Sequence, residues 1–228
     1  MTTLLRLLQL ADTAFPTGAF AHSLGLEGAH AAGDLRDERD LRRTLRRQLD
    51  GMATGDLPVC LAAHAATGAG GQPLATLVDL DRELDATRPT RETREAARAT
   101  GERFLLAATA LVADPLLAAL RRAVDARTTP GTLPVAWGAA GAAIGADGDA
   151  TAQALAFSSL AALAAAGQRL IPLGGVATQA ALADAADAIP DAVARAATVD
   201  PAEPCSFVPE LDVRSAQHER QRVRLFIS

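Results

Sequence analysis

The sequence contains no lysine and no tyrosine, and all 22 of its basic residues are arginine. A P-loop needs a lysine to reach the β- and γ-phosphates, and Schiff-base chemistry needs a lysine amine, so both are excluded. A tyrosine acid or base is excluded on the same ground. Aromatic residues make up only 3% of the chain, which leaves few platforms for a ring-shaped ligand and no aromatic–arginine stripe for a single strand. Two cysteines, Cys60 and Cys205, stand far apart with no CxxC pair, a usage that fits a reducing cytoplasm better than a disulfide scaffold. The net charge of -5 argues against nucleic acid as a partner. The apolar start is interrupted by Arg6, Gln9 and Asp12, too short and too polar for a signal peptide. The alanine-rich run 150–183 is broken by Gln153, Ser158, Ser159, Gln168, Arg169 and Gln179, so it reads as buried helix, with no membrane span expected.

What remains is a globular composition, 49% hydrophobic and 21% charged. Leucine and alanine dominate and alternating β-branched runs are missing, so the expectation is an all-α, single-domain multi-helix bundle. Helices are expected over Thr3–Ala11, Ala19–Ala32, from Asp37 past Met52, from Asp56 to about Ala66, and over Leu74–Ala86. Further helices follow from Arg91 to Val112, after Asp114-Pro115 to Ala126, from Leu133, over Ala150–Leu170, and over Gly174–Ala188. Leu41, Leu45, Leu49 and Met52 form one apolar stripe, and Arg39, Arg42, Arg43, Arg46 and Arg47 fall mainly off it as a solvated face. Gly68-Ala69-Gly70-Gly71 ends the fourth helix. Gly141 and Gly145, four apart, are expected to let two helices approach closely. From Asp200 the character changes: Pro201, Pro204 and Pro209 are expected to break any helix. The division is therefore a helical domain over 1–200 and an extended C-terminal tail over 201–228, a poor folding unit by itself that docks on something.

Chemistry-bearing patterns are sparse. Ala21-His22-Ser23-Leu24-Gly25 comes close to a nucleophile elbow, but an elbow needs a strand before it to strain and expose the hydroxyl. Cys60 and His64, at i and i+4 on one helix, have a spacing that can present two ligands to a metal. His22, His30 and His218 form no cluster that would add to them. Asp79, Asp81 and Glu83 are close in sequence but do not face one another on a helix. No catalytic constellation, cofactor motif or metal motif is expected.

Five blocks in order resemble the UreF family of urease accessory proteins. The first runs from Leu7-Leu8-Gln9-Leu10-Ala11-Asp12 through Phe15-Pro16-Thr17-Gly18-Ala19-Phe20 to Ser23-Leu24-Gly25-Leu26-Glu27. The second is Arg88-Pro89-Thr90-Arg91-Glu92 to Ala96, with Gly101 and Phe104. The third is Leu133-Pro134-Val135-Ala136-Trp137-Gly138, and the fourth is Gly167-Gln168-Arg169-Leu170-Ile171-Pro172-Leu173-Gly174. The last pairs Phe207-Val208-Pro209-Glu210-Leu211-Asp212-Val213 with His218-Glu219-Arg220-Gln221 and Arg224-Leu225-Phe226. Ala21-His22, where the family has serine and tyrosine, and Leu133, where a histidine is common, depart from the pattern.

The resemblance implies an all-α, cytoplasmic homodimer that is not an enzyme. It would bridge the UreD (UreH) scaffold and the UreG GTPase, which carries nickel, and act on apo-urease to assist nickel insertion. The residues it assigns to partner binding are Pro16, Gly18, Phe20, His22, Ser23 and Glu27 at the amino-terminal turn. In the tail they are Pro209, Leu211, Asp212, His218, Glu219, Arg220, Arg224 and Phe226. There Arg214, Arg220, Arg222 and Arg224 offer forked donors to a partner's carboxylates, and Phe226 offers an apolar anchor. Other readings are a nickel-binding metallochaperone that holds the ion through Cys60, His64 or other histidines, a hydrolase using Ser23 and His22, and a structural helical module.

Overall fold

A computed structural model of the chain describes residues 2–68, 72–221 and 223–227. Ala69, Gly70 and Gly71 of the expected break, and Arg222 of the tail, lie outside the described residues. Among the described residues there is no strand, and twelve α-helices account for the architecture. They are α1 (Thr3–Ala11), α2 (Leu26–Ala31), α3 (Glu38–Thr54), α4 (Asp56–Gly68), α5 (Pro73–Thr87) and α6 (Arg91–Leu111). There follow α7 (Pro115–Asp125), α8 (Leu133–Ala143), α9 (Gly148–Leu170), α10 (Gly175–Ala186), α11 (Ile189–Ala196) and α12 (Pro209–His218).

Several helix starts are set by side-chain oxygens that accept otherwise orphaned backbone N–H groups. Asp37 accepts from Asp40, Thr90 from Thr93, Asp114 from Leu116 and Leu117, and Asp147 from Asp149 and Ala150. The leucine stripe of α3 is buried, as its spacing predicts. Its arginine face is more engaged than solvated. Arg46 pairs with Asp184 at 3.0 Å, Arg47 with Glu210 at 2.5 Å, Arg43 with Asp40 at 2.8 Å and Arg42 with Glu38.

The core is built around α9, which packs against α1, α2, α3, α4, α8, α10 and α11. This helix is long and apolar enough to cross a membrane by length and composition, yet half of its most apolar window is buried inside the fold. Beside it, α8 lies along α4, and a side chain at Gly138 would run into the Cys60 carbonyl. An aromatic column fills the space toward α6. Phe104 stacks on Trp137 with centroids 4.8 Å apart and tilts against Phe15 at 5.3 Å. Burying a ring such as Phe104 contributes roughly 3 kcal/mol of transfer free energy. On the far side, the fully buried Asp81 carboxylate accepts from the Thr129 and Thr132 hydroxyls and from the Gly131 and Thr132 N–H groups, all at 2.5–2.7 Å. That carboxylate pins the α7–α8 loop to α5.

Three local expectations are corrected, and one helix, over residues 189–196, is added to those expected. The expected helix over 19–32 is a short 3-10 turn, Ala19–Ala21, then a break, then α2. Leu24 and Gly25 both take positive φ, 51° and 88°, which stops a right-handed helix. Gly145 is not a packing glycine, since it lies beyond the end of α8 with open space around it; Gly138 and Gly141 make the close approaches. Residues 189–196 form α11, with Ile189, Ala192, Val193 and Ala196 buried on one face. Pro209 does not break a helix but opens α12 from its first turn, where a missing N–H costs nothing.

Candidate interaction site where the chain ends meet

The break at Leu24–Gly25 turns the chain so that Glu27 points inward. The Ser23 hydroxyl, fully buried, accepts the Glu27 N–H at 3.3 Å and starts α2. Two glycines on this stretch let α12 lie backbone against backbone. Gly25 faces the Leu211 carbonyl, and a Cβ at Gly28 would stand 2.5 Å from the Arg214 carbonyl oxygen. The buried side of α12, Leu211, Asp212, Ser215 and His218, fills the angle between α2 and α6. The preceding linker is tied to the end of α3, where Cys205 N–H donates to the Thr54 carbonyl at 2.9 Å and the Thr54 hydroxyl donates back at 2.8 Å. Arg214 pairs with Asp34 at 2.6 Å, so the tail is anchored at both edges.

At the centre sits His218, with no solvent exposure. Its Nε2 is 2.8 Å from Glu27 Oε2 and its Nδ1 is 3.0 Å from Glu92 Oε2. Each of these two nitrogen–oxygen contacts needs a proton between its atoms, so two protons are shared among His218, Glu27 and Glu92. Glu27 also accepts the N–H groups of Leu225 at 2.6 Å and Phe226 at 3.0 Å. Burial acts to raise the Glu27 carboxyl, but the Leu225 N–H, His218 and the Phe226 N–H outweigh it and hold the carboxyl below its usual range. Burial raises the Asp212 carboxyl; the Val208 N–H it accepts at 2.7 Å and nearby Arg88 work against that rise.

The end of the chain then closes over the amino-terminal turn. Ile227 N–H donates to the Ala21 carbonyl at 2.8 Å, and Phe226 is buried beneath the Arg169 guanidinium, 4.3 Å from the ring centroid. Arg169 also donates to the Phe20 carbonyl at 2.9 Å. Outside this seam, three large apolar side chains face solvent: Phe20 at 74% exposure, Ile227 at 67% and Leu225 at 53%. Pro16 is exposed nearby, and Gly18 is buried beneath the Arg103 guanidinium. A cleft of about 460 Å³ opens between α6 and the tail, walled by Arg103, Glu95, Glu219 and Ile227. A second, apolar groove of about 200 Å³ runs from Phe20 along α9 past Ser158 and Ser159 to Trp137. His22 borders both; its imidazole is driven down by burial and by Arg103.

The two sets of residues assigned from sequence, one at each end of the chain, are therefore brought to one place, but with divided roles. Ser23, Glu27, Leu211, Asp212, His218 and Phe226 are buried against one another. Phe20, Pro16, Pro209, Glu219, Arg220 and Arg224 are exposed. Phe226 is thus already an anchor for its own chain, and Arg214 and Arg224 are spent internally, Arg224 lying 3.6 Å from Glu92. Glu92, Arg169, Leu225 and Ile227 are the contributors that sequence reasoning did not single out. Three of them lie inside the family-like blocks, yet nothing in a linear reading says that they meet His218 or Phe226.

The candidate metal pair sits elsewhere. Cys60 is buried between α4 and α8, with its thiol pushed up by burial and by Asp56. The His64 Nε2 lies 2.8 Å from the Ala146 carbonyl. Among the described residues, no group of three or more His, Cys, Asp and Glu side chains is arranged to hold a metal ion. The Ser23 hydroxyl of the elbow-like pattern is buried and accepts the Glu27 N–H in the first turn of α2.

Comparison with known proteins adds a family. Residues 35–186 match the UreF family model. A protein described as urease accessory protein UreF from Azoarcus sp. (strain BH72) is 35% identical over 226 residues, covering 99% of this chain and 95% of that protein. Proteins of the same description from Arthrobacter sp. (strain FB24) and Corynebacterium glutamicum (strain R) are 33% and 32% identical. They cover 98% and 97% of this chain and 96% of each relative.

Proposed function

The chain belongs to the UreF family of urease accessory proteins, and we propose that it serves urease maturation as a non-catalytic cytoplasmic assembly factor bridging the UreD (UreH) scaffold and the UreG GTPase. Nickel is the cargo of that assembly, and apo-urease is its recipient. The observation that supports this reading is the surface where the chain ends meet. Phe20, Leu225 and Ile227 are left exposed along the seam, where the Leu225 N–H is held by buried Glu27 and the Ile227 N–H by the Ala21 carbonyl next to Phe20. Large apolar side chains on an arginine-flanked surface are what a protein partner desolvates, and such anchors dominate interface energetics. Arg220 is exposed at the rim, without an ion pair among the described residues, and offers a forked donor to a partner's carboxylate. The exposed Leu4, Leu5 and Leu8 on α1 are an apolar face available to a second copy, in keeping with a homodimer.

The nickel-holding alternative would route the ion through Cys60 and His64, which are placed for core packing and a backbone contact. Stoichiometric nickel binding that disappears in His64→Ala would favour that alternative. For the bridging reading, the test is capture of the scaffold homologue by the full-length chain, beside a Phe20→Asp, Ile227→Asp double variant. These two side chains are exposed, so the variant folds. We expect capture by the full chain and at least a tenfold weaker complex for the variant, since two anchors lost exceed about 1.4 kcal/mol. Equal capture by both would remove this surface from the account.

A further inference from the structure

The C-terminal segment is fastened to the body by buried charge. Glu27 of α2 and Glu92 of α6 come from separate elements, are both nearly inaccessible, and are separated only by the His218 ring. Arg224 stands behind Glu92 at 3.6 Å. The other charged groups around α12 are engaged away from the ring: Arg91 with Glu95 at 2.7 Å on α6, Arg214 with Asp34, and Arg47 with Glu210. His30 of α2 faces the Leu35 carbonyl, and Glu219, next to His218, points to solvent. The closed arrangement thus needs a proton in each of the two His218–carboxylate contacts at the same time. With either proton missing, a nitrogen lone pair faces a carboxylate oxygen and that buried contact turns repulsive.

We infer that Glu27, His218 and Glu92 form a proton-sensitive latch that decides whether residues 209–227 lie on the body, and hence whether the two-ended docking surface exists. The inference rests on the reading of that surface as a docking site. Opening the latch withdraws Phe226 from Arg169 and Ile227 from Ala21, so Phe20 loses its exposed neighbours while Leu211 and Phe226 are set free. The body has its own core around α9 and stays folded. On the acid side, Glu27 is held ionised by the N–H groups and the imidazole around it. Its contribution is present above the unfolded carboxyl pKa and is lost as pH falls through the lower folded value. On the alkaline side the sensitive element is the second of the two protons that the His218 contacts with Glu27 and Glu92 share.

Hydrogen exchange of the full-length chain, followed by mass spectrometry from about pH 5 to about pH 9 and corrected for intrinsic rates, tests this. The readout is the protection of peptides in 209–221 relative to peptides in α8 and α9. We expect that ratio to fall by at least about tenfold toward alkaline pH, while the core peptides hold. His218→Gln, which carries no charge, should give the low ratio at every pH. A flat ratio in the wild-type chain across the range overturns the latch, even if the variant does not fold. So does a His218→Gln chain with wild-type tail protection. Scaffold capture at neutral pH is scored separately: a ratio that changes with pH in a chain that captures no scaffold keeps the latch and sinks the docking reading.

Discussion

Replacing Gly28 by alanine isolates the contact that seats the C-terminal helix. The new Cβ would stand 2.5 Å from the Arg214 carbonyl oxygen, about 0.9 Å short of the 3.4 Å at which ordinary contact begins. The obstacle is backbone, so no side-chain rotation relieves it and α12 must move as a body. Overpacking of this kind costs about 1–3 kcal/mol. Against it stands the better helix propensity of alanine, up to about 1 kcal/mol, of which a six-residue helix such as α2 realises only part. The net is about 1–2 kcal/mol against the docked tail, or roughly a 5- to 30-fold rise in its open population. Because α12 packs chiefly on α2 and α6, the cost falls on the tail and not on the core around α9. Hydrogen exchange should therefore show residues 209–218 losing protection 5- to 30-fold, with a melting temperature close to wild type. Gly174→Ala, where a Cβ meets nothing within 4 Å, is the control and should change neither. Unchanged tail protection in Gly28→Ala would refute the reasoning, and so would loss of tail and body together.

Three further outcomes are expected. Asp81→Ala leaves two hydroxyls and two N–H groups without their acceptor, so urea denaturation should show a loss of about 3–5 kcal/mol; a loss under about 1 kcal/mol would contradict the pinning role. The Asp40 carboxyl is held below its usual range chiefly by the Arg36 hydrogen bond, with Arg43 adding to it and burial opposing it. Its contribution is therefore present above the unfolded value near about 3.9 and is lost as pH falls through the folded one. The stability gap between wild type and Asp40→Asn should shrink below about pH 4, and a gap independent of pH would exclude the pairing as its source. Alkylation of the native chain should label Cys205, which is exposed, and spare Cys60, whose buried thiol is pushed up; mass spectrometry showing two adducts before unfolding would count against the burial.

Much of the fold is legible where one physical signal dominates. The leucine stripe of α3, the capped start at Asp114-Pro115 and the restart after Arg88-Pro89-Thr90 each settle a helix locally, and the structure agrees. The failures share a cause, which is a local signal overruled by a distant partner. The helical composition of 19–32 is broken because Glu27 must turn inward toward His218, 191 residues away. Pro209 reads as a breaker until its place in the first turn is known, and α12 is seated by its packing on the distant α2 and α6. The stripe Ile189, Ala192, Val193, Ala196 around Pro190 is short, and two of its four members are alanines that carry little apolar weight. At the candidate site, sequence marks both chain ends as important. Which of those residues are buried struts and which are exposed contacts, Phe226 against Ile227 for instance, depends on a register that only the folded chain supplies.

The most direct test of the account is the nickel content and activity of urease matured in cells with and without this chain, with the remaining urease accessory proteins present. The account predicts apo-urease of low nickel content when the chain is absent, restoration by the wild-type chain, and weak restoration by the Phe20→Asp, Ile227→Asp variant. Urease that fills with nickel equally well without the chain would contradict its role in maturation.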